Sequence, residues 1–173
     1  MAEATRKRSM WNLALVCVLL IEVGGGISGW LSNSGYDNGW FARLDKPSFM
    51  PPGWAFGVVW PILYAMLGVA LAMVLAEPES DRRRIAVTFF FAQLALNFAW
   101  SPIFFAAHDI ELAQAVIITM IIVAAITAGQ FYRIRRAAGL LMVPYLCWLV
   151  FAATLNGSIA KLNPNAGTSL LGI

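Results

Sequence analysis

The chain has 173 residues, 60% of them hydrophobic and only 12% charged, with a mean hydropathy of +0.73. A soluble domain carries roughly twice that charged fraction, so a water-soluble globule is excluded. The net charge of +3 comes from short arginine clusters beside apolar blocks; it reports membrane topology and not nucleic-acid binding.

Five apolar blocks each approach the roughly 20 residues that cross a bilayer as a helix. Residues 1–10 read as a polar cytoplasmic tail with Arg6, Lys7 and Arg8. The first span is 11–31, and with no small-residue cleavage site before its polar end it reads as a span and not a removable signal. A loop rich in Gly, Asn and Pro follows at 32–53, then a second span at 54–76. Glu77, Glu79, Asp81 and Arg82 to Arg84 separate it from the third span, 85–107, which a turn with His108, Asp109 and Glu111 closes. The fourth span is 112–132, ending in Arg133, Arg135 and Arg136; the fifth is 139–160. The expected fold is an all-α bundle of five transmembrane helices in one domain, 11–161, with a flexible tail at 162–173.

Five spans put the termini on opposite sides. With a cytoplasmic N-terminus, each inside segment carries three Lys or Arg, whereas the outside segments hold only Arg43, Lys46 and Lys161. This positive-inside pattern places the 32–53 loop outside. No organelle-targeting segment is evident, so a bacterial inner membrane is expected.

At about 1.5 Å per residue, the unusual residues converge on one layer beneath that loop. They are Gly24 to Gly26 and Gly29 in the first span, Trp60 and Pro61 in the second, and Asn97, Trp100, Ser101 and Pro102 in the third. Trp148 and Asn156 come from the fifth, while the fourth adds almost nothing. Within spans, Phe56, Trp60 and Tyr64 recur every fourth residue; Gln93, Asn97, Trp100 and Phe104 share a face, as do Tyr145, Trp148, Ala152, Asn156 and Ile159. Pro47, Pro51 and Pro52 stiffen the approach to the second span and remove three backbone donors. Pro61, Pro102 and Pro144 free the carbonyls of Gly57, Phe98 and Leu140, which must find neighbours, water or a ligand. The expected arrangement is a lid over a pocket that holds Trp60. Interfacial aromatic anchoring and ordinary helix packing glued by buried Asn fit the same pattern.

Glu22 falls mid-span, where a charge costs at least about 2.5–3.5 kcal/mol. It is either protonated and hydrogen-bonded to Gln93 or Asn97, or it makes ligand release pH-dependent. Cys17 and Cys147 lie inside apolar blocks as small core residues. They and His108, the single histidine, lack partners at ligand spacing, so no metal site is expected. Gly25/Gly29, Gly68/Ala72 and Ala95/Ala99 all have the spacing of close helix contacts, and spacing alone does not choose among them.

The same residues carry a resemblance. Trp40, Leu44, Lys46-Pro47, Pro51-Pro52, Phe56, Trp60, Leu63-Tyr64 and Gly68 begin it. Asn97-x-x-Trp100-Ser101-Pro102-x-Phe104-Phe105, Val143-Pro144-Tyr145-x-x-Trp148 and Leu155-Asn156-x-x-Ile159-x-x-Leu162-Asn163 follow. Over about residues 24–163 the chain resembles the TspO/MBR proteins, the tryptophan-rich sensory proteins of bacteria and the translocator protein of mitochondria. The resemblance implies a dimerising five-helix bundle with a pocket under the first loop. It implies tetrapyrrole ligands such as protoporphyrin IX and haem, besides sterols and synthetic isoquinoline carboxamides and benzodiazepines, and no required cofactor.

Carried onto this chain, it implies that Trp60 and Trp148 flank a bound porphyrin and that Asn97 and Trp100 line the pocket. Trp40, Phe41, Pro47, Pro51, Phe56, Tyr145 and Ala152 complete the expected ligand set, with Arg43 and Lys46 as lid cations for propionates. Of the small-residue pairs, the resemblance favours Ala95 and Ala99 as the dimer contact. Two departures stand out. Phe41 replaces a common tyrosine, and the sterol motif is absent, because no Tyr follows Tyr145 and Lys161 is too distant. A reversed pattern at Arg84, Phe89 and Leu94 is weak by nature, so a sterol-like lipid is a minor candidate partner beside bulk membrane lipid. The expected function is a tetrapyrrole receptor or carrier in homeostasis or stress signalling. The rival is an enzyme that degrades protoporphyrin IX in light, with Trp60 and Trp148 taking part. No hydrolytic triad, phosphate loop or dinucleotide fingerprint suggests other chemistry.

Overall fold

The structure is a computed structural model that describes residues 2–167, with side chains from Met10 onward. The described residues form helices and no strand: α1 (Ala2–Leu31), α2 (Gly39–Arg43), α3 (Gly53–Leu75), α4 (Asp81–Ser101), a π-helical turn (Pro102–Ala106), α5 (Ile110–Ile134), α6 (Arg136–Leu141) and α7 (Val143–Leu162). Five stretches are long and apolar enough to cross a membrane: α1 from Met10, α3, α4 with its π turn, α5, and α6 with α7.

The boundaries differ from the sequence reading where polar residues are good helix formers. Residues 2–10 contain no Gly or Pro, and α1 runs back through them to Ala2 where a tail was expected. Likewise α4 begins at Asp81, four residues early, because Ser80 caps it by accepting the Arg83 N–H at 3.2 Å. Asp109 caps α5 in the same way, through the Leu112 N–H at 2.9 Å. The fifth span breaks at Met142, just before Pro144, whose ring cannot continue the hydrogen-bond ladder.

Small residues let the helices approach. α1 packs on α3, where a Cβ on Gly68 would sit 2.6 Å from the Val18 backbone. α4 packs on α5, and Phe90 stacks on Phe131 with centroids 5.6 Å apart. The freed carbonyl of Phe98 is satisfied across the bundle, by the Ser28 hydroxyl at 2.6 Å. Two apolar cores result. The larger joins Leu67, Ala72, Phe90, Met120, Phe131 and Met142; the smaller joins Phe41, Leu44, Phe104, Phe105, Ile110 and Ile159 under the loop. Cys17 is buried as expected, but Cys147 faces outward from α7, a position that apolar patterning cannot distinguish from core in a membrane helix.

Candidate functional site

The 32–52 loop is a built structure. Asn38 caps α2 by accepting the Trp40 and Phe41 N–H groups at 3.0 Å, and its amide donates to Asn33 and to Phe105 below. Tyr36 donates its hydroxyl to the Pro51 carbonyl at 2.6 Å, and burial raises the Tyr36 pKa. Lys46 is turned inward: Nζ donates to the Phe41, Ala42 and Leu44 carbonyls and lies 4.7 Å from the Phe41 ring centroid. The residues after α7 meet this loop. Asn163 exchanges two 2.9 Å hydrogen bonds with the Asp45 backbone, and Trp40 Nε1 donates to Ala166 O at 3.0 Å. So part of the stretch read as a flexible tail is an anchor; residues 168–173 lie outside the described residues.

Beneath the loop lies a cavity of about 370 Å³, within the range typical of small-molecule sites. Phe56, Trp60, Trp100 and Trp148 give it aromatic walls. Phe41 and Tyr36 come from the lid, Gly25, Gly26 and Glu22 from α1, and Ala152 and Asn156 from α7. Trp60 and Trp148 meet edge to face with centroids 6.4 Å apart, and Phe56 also packs on Trp148, with centroids 5.7 Å apart. Trp100 is held by a 4.9 Å stack on Phe104, which the π turn positions.

A chain of hydrogen bonds forms the floor. Tyr64 donates to Asn97 Oδ1 at 2.7 Å, Asn97 Nδ2 donates to the Tyr145 hydroxyl at 3.2 Å, and Tyr145 donates to Gln93 Oε1 at 2.7 Å. Buried polar groups are nearly always paired. Here Trp100 Nε1, Trp148 Nε1 and Asn156 Oδ1 are buried without a partner, and all three residues line the cavity.

Of the expected ligand residues, Phe41, Phe56, Trp60, Asn97, Trp100, Trp148 and Ala152 line this cavity. Trp40, Pro47, Pro51 and Tyr145 stand behind it; Trp40 stacks on His108 at 4.4 Å, and Tyr145 is fully buried under Asn97. Neither Arg43 nor Lys46 reaches the wall, Lys46 being held by the lid carbonyls. Among the described residues the expected hydrogen bond from Glu22 to Gln93 or Asn97 is not formed: tyrosines engage Asn97 and Gln93 Oε1, and Gln93 Nε2 is buried without a partner. Sequence reasoning missed α5: Ile117 and Met120 line the cavity, and Gln114 accepts from Asn156 Nδ2 at 2.8 Å. Gln114 is the one signal there, an amide one turn into an apolar helix.

Known proteins resemble this chain in sequence. The model of the TspO/MBR family matches residues 17–162. The tryptophan-rich protein TspO of Chlorobaculum tepidum is 40% identical over 126 residues, 72% of this chain and 80% of that protein. The corresponding protein of Archaeoglobus fulgidus is 35% identical over 87% of this chain and 97% of its own length. The translocator protein of Sus scrofa is 36% identical over 88% of this chain and 91% of its own. With five apolar helices around an aromatic cavity and these matches over most of its length, the chain is a multi-pass membrane protein that belongs to the TspO/MBR family.

Proposed function

We propose that this protein is a membrane receptor or carrier for a tetrapyrrole, protoporphyrin IX or haem, which inserts edge-first under the lid. The observation that carries the reading is the aromatic slot itself: Trp60, Trp100, Trp148 and Phe56 around one cavity, with two indole N–H donors unpaired. A flat conjugated ring needs such faces, each aromatic contact adding roughly 0.5–1.5 kcal/mol beyond area burial. Among the described residues no Lys, Arg or His lines the wall, so the propionates lie at the mouth towards Arg43 and the lipid headgroups. The contact between Trp60 and Trp148, continued by Tyr64 at 5.3 Å from Trp60, favours one second reading. Three oxidisable rings in contact suit an enzyme in which light and dioxygen oxidise the bound ring.

Self-association fits the outer surface of α4. Gly68 is consumed against α1 and Gly25 against the Tyr64 ring, and Ala72 is fully buried, whereas Ala95 is exposed and Ala99 half-exposed. We assign Ala95 and Ala99 to a homodimer contact, and a bacterial inner membrane with the lid outside as the setting. The test of function is quenching of tryptophan fluorescence by protoporphyrin IX in detergent. Wild type should saturate, and Trp60→Phe and Trp148→Phe should each weaken binding about tenfold, a loss of about 1.4 kcal/mol. Equal, unsaturable quenching of all three would mean that the porphyrin only partitions into the micelle. Ring loss beyond one equivalent in light would favour the enzyme.

A further inference from the structure

Between their terminal turns, the five spans carry a single Asp, Glu, Lys, Arg or His, and it is Glu22. It stands about 13 Å of helix below the end of α1. Glu22 and Tyr64 both line the cavity. Yet the Tyr64 hydroxyl gives its proton to Asn97, Asn97 Nδ2 and Gln93 Oε1 are engaged by Tyr145, and Gln93 Nε2, buried without a partner, is not bonded to Glu22 either. Among the described residues, no hydrogen bond or ion pair reaches Glu22.

Among the described residues, no cation is placed to approach it. The elements packed on α1 are α3, α4 and the π turn. α3 and the π turn contain no Lys, Arg or His, and the arginines of α4 are Arg82 to Arg84 in its first turn, far from the cavity. The approach is nevertheless open. Gly26, one turn above Glu22, and Gly57 on α3 both line the cavity, both are exposed, and a Cβ on either would meet nothing within 4 Å. A molecule entering over these two glycines comes directly upon the carboxylate.

We propose that Glu22 is a ligand-binding residue that makes this cavity select lipophilic molecules bearing an amine or other strong N–H donor, and reject an anionic group at that depth. A bound ammonium supplies the counter-charge that the bundle lacks. If the carboxyl is protonated and the amine neutral before binding, transfer of one proton from carboxyl to amine gives the same ion pair. The proposal goes beyond the tetrapyrrole reading and stands without it; for a tetrapyrrole it requires only that the propionates stay away from α1.

The test uses the full chain in a nonionic detergent at pH 7 with two probes that share one ring and differ in charge, 1-pyrenemethylamine and 1-pyrenecarboxylic acid, read by quenching of the cavity tryptophans. Wild type should bind the amine saturably and at least about tenfold more tightly than the acid. Glu22→Gln should bring the two within about threefold, and Glu22→Lys should reverse the order. Equal binding of the two probes by wild type, or a preference that survives in Glu22→Gln, overturns the assignment. If Glu22→Gln does not fold, the wild-type ratio and Glu22→Lys decide. Protoporphyrin IX titrated in parallel separates the two proposals: amine selectivity without saturable porphyrin binding retains Glu22 and removes the tetrapyrrole.

Discussion

The two halves of this bundle are made from the same apolar alphabet and put it to opposite uses. In the half away from the lid, Leu67, Ala70, Ala72, Val74, Phe90 and Phe131 are 0% exposed, and glycine serves to bring backbones together. In the half under the lid, tryptophans hold a space open, and Gly26 and Gly57 leave it unfilled. The chain of Tyr64, Asn97, Tyr145 and Gln93 marks the boundary between them. The difference teaches that composition sets the membrane fold, while side-chain size at a few positions decides whether helices meet or enclose a cavity.

The sharpest way to break this comparison is to exchange the glycines. Gly68→Leu would drive its side chain into the Val18 backbone and should cost about 3 kcal/mol or prevent folding, read as loss of the thermal transition in detergent. Gly26→Ala should leave stability unchanged or raise it by about 0.5–1 kcal/mol, because it fills open space in a helix. At the boundary, Tyr145→Phe strands Gln93 Oε1 and should cost about 1–3 kcal/mol by the same measurement.

A smaller effect is expected at the lid. Asn163→Ala removes both hydrogen bonds to Asp45 and should lower the protection of the Asp45 amide in hydrogen exchange by about 1 kcal/mol, with the closed half unaffected. The smallest effect is set by pH. Burial raises the Tyr36 pKa, so the folded lid favours the neutral phenol. Its contribution is complete below the ordinary tyrosine pKa of about 10 and is lost as pH rises through the higher folded value. The lid's protection factor, which divides out the intrinsic base catalysis of exchange, should therefore fall in alkali in wild type, and Tyr36→Phe should abolish that fall.

The spans were legible because hydropathy and length report directly on the bilayer, and the layer of Trp60, Asn97, Trp100 and Trp148 was legible because such residues are rare inside apolar helices. Lys46 was not. A lysine in a loop has the same letter whether it meets a ligand or, as here, staples three carbonyls of its own loop. Cys147 and Ile117 escaped for a related reason. In a helix surrounded by lipid, apolar residues face outward, into the core or into the cavity, and periodicity does not separate these. Glu22 could be found but its neighbours could not, since which amide a tyrosine occupies depends on packing across three helices.

The bonds from Asn163 and Trp40 join residues 118 and 126 positions apart in the chain. A ribosome therefore makes the lid early and its fastenings last. While the later helices are still being threaded into the bilayer, the roof over the aromatic slot has its own internal bonds but lacks its final two ties. Completion of the binding site is thereby coupled to completion of synthesis, and a chain stalled before its fifth span would have a slot without its Trp148 wall beneath a lid that is not yet tied down.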